Sequence, residues 1–531
     1  MILKNSLNFI SEFFNYSSNQ IRKIYLSSRI YNKKISRIDD KLIEYKPSPN
    51  LLDCLIKYDK KKNNIENFYL NSVWNNQDIK ETDYKKLHSF FWLFTIDLKS
   101  SKKITQSIIL NWIDKNQKYN SKSWEIDTLS KRVIAWISNS KLSYDDSNET
   151  YKEKFNNNIK KQVNHLINEI NRSKWVNDKM IGCASIILSG LSYKDEKYLN
   201  YGLNLLKQII NFSFDAQSFP KSRNFRQLIF YLKYFILIRE WYKESQLLIP
   251  EYIDETIYYL GQGYAFIWQN FSSDFLFNGN NISNNTDFDN YLKRLGYKFK
   301  NENQDFGGYI ILKNKKICLI MDAGSSPNSE YSKNYQSGAL SFEIISNKKK
   351  LISNCGYHSK NNIKLNQLSK TSAAHSTLII DDNSSCKFTK ADNSWLLKKG
   401  LRILKKHTVF EKNYWKINAS HDGYMRKYNS IHEREIEFYP EQMLFIGIDK
   451  IIKKKGNFNY KFDIRFHLEP NIKLMKTQDN KTILIELDDE GWKFTCDKYE
   501  INIDNGLYFG NKNLYTDNQN IFISGISNNQ T

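Results

Sequence analysis

The chain has 531 residues, more than a single hydrophobic core accommodates, so two or three domains are expected. With 40% hydrophobic and 15% aromatic residues it is not a disordered chain, and no apolar run is long enough to span a bilayer. The net charge of +22 points to a polyanionic partner (nucleic acid, membrane surface or acidic glycan), although Lys, Asn, Ile and Tyr abound everywhere and a chain-wide bias accounts for much of the excess.

The first stretch, MILKNSLNFISEFFNYSSNQIRK, has no clear signal peptide, because Asn, Ser and Glu interrupt its apolar residues and no small-residue cleavage site follows. Phe9, Ile10, Phe13 and Phe14 fit one face of a short helix instead. Residues 1–79 are read as a helical or extended lead-in to a helical domain over 80–285. There, 83–99 and 179–191 carry apolar residues at three- and four-residue steps, the second with Asn177 or Asp178 placed to cap it. The segment 226–242 is apolar around most of its circumference and predicts an inner helix. Pro220 and Pro250 fall at the expected breaks.

Past about residue 300 the period becomes two. Residues 307–324 read as strand, Asn-Lys turn, strand, and 339–356 repeat that plan. The pattern continues through 432–456, 462–470 and 491–496 and predicts an antiparallel β-sandwich over 286–531. The division is placed near 270–300, with the Asn-rich stretch NGNNISNNTDFDN (278–290) as a cleavable linker. The six cysteines form no CxxC pair, so they give neither a zinc ribbon nor a disulfide framework, and reduced, mostly buried thiols are expected.

Several strings stand in a telling order: DAG (322–324), GALSFEI (338–344), LISNCG (351–356), TSAAHSTLIIDD (371–382), ASHDGY (419–424), IHERE (431–435) and IRFHLEP (464–470). With SRN (222–224) opening the apolar helix, they resemble the heparinase II/III family of polysaccharide lyases across roughly residues 80–525. The resemblance implies α plus β architecture: an incomplete (α/α) toroid, then the sandwich, with a site in the cleft. It also implies cleavage of an acidic, uronate-containing glycan by β-elimination. That reaction needs the uronate carboxylate neutralised, a base for the C5 proton and an acid for the leaving oxygen.

The chain departs from the family at the positions that matter most. Where the family has His-x-His-Ala-Asp-Ala, this sequence has Asn334, Tyr335, Gln336, Ser337, Gly338 and Ala339. The family's Asp-Ser-Gly becomes Asn354, Cys355 and Gly356, and a tyrosine expected four positions after the arginine falls on Gln227. In members with a structural zinc, the resemblance places its ligands at Gln336, Asn354 and His375. Two of those are neutral amides, so no metal and no cofactor are expected.

The resemblance nominates Tyr335, Tyr357 and His375 as catalytic groups and Arg223, Asn224, Gln336 and Asn354 as substrate-binding groups. A guanidinium at Arg223 suits a uronate or sulfate. Each also has a plain structural reading: a helix start for Arg223 and Asn224, a loop tyrosine for Tyr335, a histidine opening a buried strand for His375. His421, Tyr424, His432 and His467 read as structural. The rival to a lyase is a catalytically silent relative that binds or positions an anionic envelope polysaccharide. No nucleic-acid motif is present, the family implies a cell-envelope or periplasmic setting with cytoplasm as the alternative, and oligomeric state is left open.

Overall fold

The computed structural model describes residues 17–37, 39–56, 74, 79–95, 102–268, 274–283, 285–359, 362–391, 394–454, 459–511 and 514–527. The chain forms two compact units, Met1–Phe212 with Lys233–Ile257, and Ser213–Leu232 with Tyr258–Thr531. A helical N-terminal region precedes an antiparallel β domain, the mixed class expected. Among the described residues no helix is long and apolar enough to cross a membrane.

The first unit is built from helices such as Lys102–Lys115, Ile126–Ser138, Glu149–Glu169 and Val176–Ser192. Its interior is aromatic: Trp112 meets Trp136 edge-on at 5.4 Å, and Phe155 stacks on Trp136. The buried Arg132 lies 4.1 Å over the Trp112 ring and donates to the carbonyls of His88 and Ser123.

Two expectations need correction here. The helix expected over 83–99 ends at Ser89; Phe90 turns left-handed at φ 58°, and a 3-10 turn covers Phe91–Thr95, with 96–99 outside the described residues. Phe90 is fully buried among Trp74, Trp92, Trp112 and Trp136, and Leu93 is buried with it, while Phe91, Trp92 and Phe94 are half-buried. The helix Val176–Ser192 starts before Asn177; Trp175 holds the N-cap without a side-chain bond, and Asp178 sits in the first turn, where the helix dipole favours a carboxylate.

In the second unit, Asp305–Phe306, Tyr309–Lys313, Ile317–Asp322, Phe342–Ser346 and Lys349–Ile352 pair in sequence order as an antiparallel meander. Asn347 and Lys348 both take positive φ (42° and 71°), the geometry of a two-residue hairpin turn whose twist matches its strands. A second sheet orders Leu444–Lys453, Ser430–Tyr439, Trp415–His421 and Ile403–Phe410. A third orders Ile501–Tyr508, Thr516–Ile526, Lys461–His467 and Leu378–Ile380. Alternate residues from different sheets, among them Ile310, Leu319, Ile417, Phe438, Ile485 and Ile521, close into one apolar core, as face-to-face sheet packing requires.

The Asn-rich stretch is not a linker. Asn278, Asn280 and Asn281 are buried. Asn278 donates to the Tyr309 hydroxyl at 2.6 Å and to Asp322 at 3.1 Å, and Asn281 bonds both backbone groups of Tyr357. Asparagine supplies donors and an acceptor at each position, so a polar run reads as a loop in sequence yet serves as internal scaffolding here. Compactness accordingly divides the chain at 212/213, 232/233 and 257/258, whereas the sequence reading placed its division at 285/286. Native-state digestion with subtilisin should leave residues 274–283 uncut while the protein stays folded; early cleavage within them would show a linker after all.

Candidate functional site

The segment Ser222–Asn224 starts the long helix Phe225–Glu244. Asn224 caps it, its side-chain oxygen accepting from the Gln227 N–H at 2.9 Å while its amide donates to the Asn278 carbonyl at 2.7 Å. Arg223 sits left-handed at φ 59° with its side chain directed inward. Its Nη2 donates to Asp322 at 2.6 Å and to the Gly308 carbonyl at 2.9 Å, Nη1 to the Gly324 carbonyl at 2.9 Å, and Nε to the Gly307 carbonyl at 3.4 Å. The guanidinium carbon lies 4.7 Å over the Tyr309 ring. A Cβ on Gly324 would come within 2.3 Å of that carbon, which explains the glycine of the DAG string. One edge of Arg223 reaches a cavity of about 270 Å³ that Lys221 and Tyr331 also line.

Gln336 is buried. Its side-chain oxygen accepts from the Gly279 N–H at 2.9 Å, and its amide nitrogen donates to the carbonyls of Gly356 (2.9 Å) and Ser369 (2.6 Å). Asn354, fully buried, accepts from the Ser376 N–H at 2.9 Å and donates to Glu343 at 3.2 Å. Glu343 is itself paired with Lys350 at 3.0 Å inside the protein. Arg223, Asn224, Gln336 and Asn354, far apart in sequence, therefore belong to one buried polar framework that also contains Asp322, Asn278 and Glu343.

The nominated catalytic groups lie in the same interior. Tyr335 is fully buried with its hydroxyl 3.1 Å from Ser326, and burial pushes its pKa well above the ordinary value. Tyr357 is buried as well; its hydroxyl donates to the Lys333 carbonyl at 3.3 Å, and burial raises its pKa. His375 is 1% exposed, and neither ring nitrogen has a hydrogen-bond partner among the described residues. Its ring lies against Gly338, where a Cβ would meet it at 2.9 Å. Burial, with the His467 ring nearby, lowers its pKa to about 3. His421 and His432 join a separate chain of bonds to Asp449, which Arg434 also holds, in keeping with their structural reading.

The donors do not fit a zinc ion. The side-chain oxygens of Gln336 and Asn354 are taken by backbone N–H groups, and His375 alone offers an unengaged nitrogen.

Sequence reasoning missed Lys370. It is buried with no carboxylate partner among the described residues, and its ammonium donates to the carbonyls of Ser332, Lys333, Tyr335 and Trp395 at 2.6–3.4 Å. Burial, reinforced by Lys333, lowers its pKa to about 7. Only its place directly before the TSAAH string hinted at it. Asn278 was missed because its neighbours look like a loop.

Two expected outcomes follow from this geometry. Removing Arg223 leaves Asp322 charged and buried without its partner, so Arg223→Met should cost about 3–5 kcal/mol of stability by urea unfolding. A loss below about 1 kcal/mol would place the arginine outside the framework. His375 has its folded pKa depressed from 6.5 to about 3. Across that window the unfolded chain takes up a proton that the folded chain refuses, so stability present above pH 6.5 drains away as pH falls towards 3. His375→Leu should flatten that part of the stability–pH curve, and a curve parallel to the wild type's would mean the imidazole titrates normally.

Residues 302–531 match the family model described as heparinase II/III-like, C-terminal. No curated protein matches the chain by sequence. A crystal structure of a heparan sulfate lyase HepC mutant from Pedobacter heparinus aligns at 13% identity and TM-score 0.66, over 86% of this chain and 76% of that one. A heparinase III crystal structure aligns at 16% identity and TM-score 0.66, over 93% and 86%. At these identities the structural likeness speaks to the fold. The ordered strings of the β domain, the family model over that same domain and the shared fold converge: residues 302–531 form a heparinase II/III-like C-terminal domain, in a chain that shares the fold of the heparinase structures.

Proposed function

We propose that the protein is a polysaccharide lyase-type protein whose partner is an acidic, uronate-containing glycan, and that it binds or positions this polymer without cutting it. The partner class rests on the heparinase II/III-like C-terminal domain and on the likeness to a heparan sulfate lyase and a heparinase III. The absence of cleavage rests on one observation: every residue nominated for the chemistry is buried, and all but His375 are bonded to the protein itself.

Elimination beside a uronate needs three things from the protein. It needs a base of suitable pKa, and Tyr335 and Tyr357 are shifted upwards, away from the anionic form that would take the C5 proton. His375 is neutral, but a pKa of about 3 makes it a weak base and its ring is inaccessible. It needs a cation to neutralise the carboxylate, and each nitrogen of Arg223 already donates within the framework. It needs an acid for the leaving oxygen, and none of the nominated groups reaches solvent in a state to donate.

Cleavage by β-elimination is the second reading, favoured by the fold shared over most of the chain with a heparan sulfate lyase and a heparinase III. A cell-envelope or periplasmic setting accords with either reading. Incubation with a panel of uronate glycans separates them. Calorimetry should detect binding to at least one glycan, and absorbance should detect no unsaturated uronate product. Product accumulating with turnover would overturn the non-cleaving reading in favour of the lyase.

A further inference from the structure

The second unit carries a groove of about 1090 Å³ that the buried framework does not use. Lys387, Lys398, Lys399, Arg402, Arg426 and Lys427 line it, and all six are exposed. Asp422 is the one acidic residue in its lining, and Arg402 pairs with it at 3.1 Å. Among the described residues no carboxylate pairs with Lys387, Lys398, Lys399, Arg426 or Lys427. The interior cations differ: Arg223 and Lys350 have carboxylate partners and Lys370 a cage of carbonyls. A concave surface with several unneutralised like charges over a low-dielectric floor concentrates anions. The floor includes Tyr424 and Tyr428, both buried.

The groove also adjoins a second cavity. Ser326, Pro327 and Asn328 form a wall that it shares with the cavity of about 270 Å³ beside Lys221 and Arg223. Two adjoining cavities with a shared wall suit an extended polymer better than a single anion. Ser329, Asn383 and Ser384 add hydroxyl and amide groups to the lining, the donors and acceptors that sugar hydroxyls require. A single-stranded nucleic acid would want open aromatic faces for its bases, and the tyrosines here are buried.

We propose that this groove is the glycan-binding surface: an anionic polysaccharide lies along it, with carboxylate or sulfate groups on Lys398, Lys399, Arg426 and Lys427 and its path leading past Asn328 towards Lys221. This rests on the reading that the partner is an acidic glycan, and it locates that partner away from the buried framework.

The test uses the full chain and fluorescein-labelled heparan sulfate and hyaluronate oligosaccharides, with a neutral dextran and a labelled oligothymidylate of matched charge. Lys398→Glu/Lys399→Glu and Arg426→Glu/Lys427→Glu should each weaken glycan binding roughly tenfold or more, and raised salt should weaken the wild type. The control Lys33→Glu/Lys34→Glu, an exposed pair in the first unit, should change binding less than about twofold. Should the charge reversals disturb folding, acetylation of the wild-type protein supplies a second measurement, in which bound heparan sulfate should protect Lys398 and Lys399. Glycan binding that survives both groove variants, or bound glycan that protects neither lysine, overturns the groove and leaves the function intact. Wild-type protein that binds neither glycan overturns the acidic-glycan reading, and the groove with it. Oligothymidylate bound as tightly as the glycans overturns the choice of polymer.

Discussion

The second unit depends on the buried pair of Arg223 and Asp322. Taking both charges out of water is costly, and attraction alone seldom offsets it. Here every nitrogen of the guanidinium and both oxygens of the carboxylate carry hydrogen bonds. Arg223 reaches three backbone carbonyls, and Asp322 also accepts from Asn278 and from the Gly324 N–H at 3.3 Å. The carbonyls belong to the turn at Gly307–Gly308 and to the end of the strand Ile317–Asp322, so one side chain aligns the helix start with two parts of the meander. The left-handed backbone at Arg223 is a strain that this network holds in place.

From that pair the framework spreads through amides. Asn278 joins Asp322 to Tyr309, Gly279 joins the same stretch to Gln336, and Gln336 reaches Gly356 and Ser369. An amide donates and accepts at once, so it can bridge a backbone N–H and a carbonyl. This gives physical sense to the replacements at Gln336 and Asn354. Positions that the family resemblance assigns to metal ligands instead cross-link the backbone, and the loops they would have held around an ion are held by hydrogen bonds. His375, whose ring nitrogens have no hydrogen-bond partner among the described residues, is buried where its neutral form is favoured.

The positive charge divides in two. Arg132, Arg223, Lys350, Lys370 and Arg434 are buried and engaged with carbonyls or carboxylates, so they contribute to folding and are not free to meet a partner. Lysines and arginines at the surface keep their fields. Where they gather on a concave face with little acid to answer them, the excess makes that face locally positive; elsewhere it matches the compositional bias that the sequence shows throughout. A global net charge does not separate these populations, because it carries no information on burial.

The sequence by itself determined the succession of a helical region and an antiparallel β region, because periods of 3.6 and 2 are local properties of the chain. It determined the inner helix Phe225–Glu244, apolar on nearly every side, and it exposed the family through strings that stand in order. It also brought forward Arg223, Asn224, Gln336 and Asn354 as members of one constellation, although Asn278 and Lys370 escaped it. Tertiary structure decided what that constellation does. Whether an arginine faces a ligand or a ring of carbonyls, whether an asparagine run is a loop or a scaffold, and whether six basic residues scattered over forty-odd positions share one groove depend on contacts between distant segments. Those contacts are set by how the sheets and helix ends come together, and no local pattern of residues encodes them.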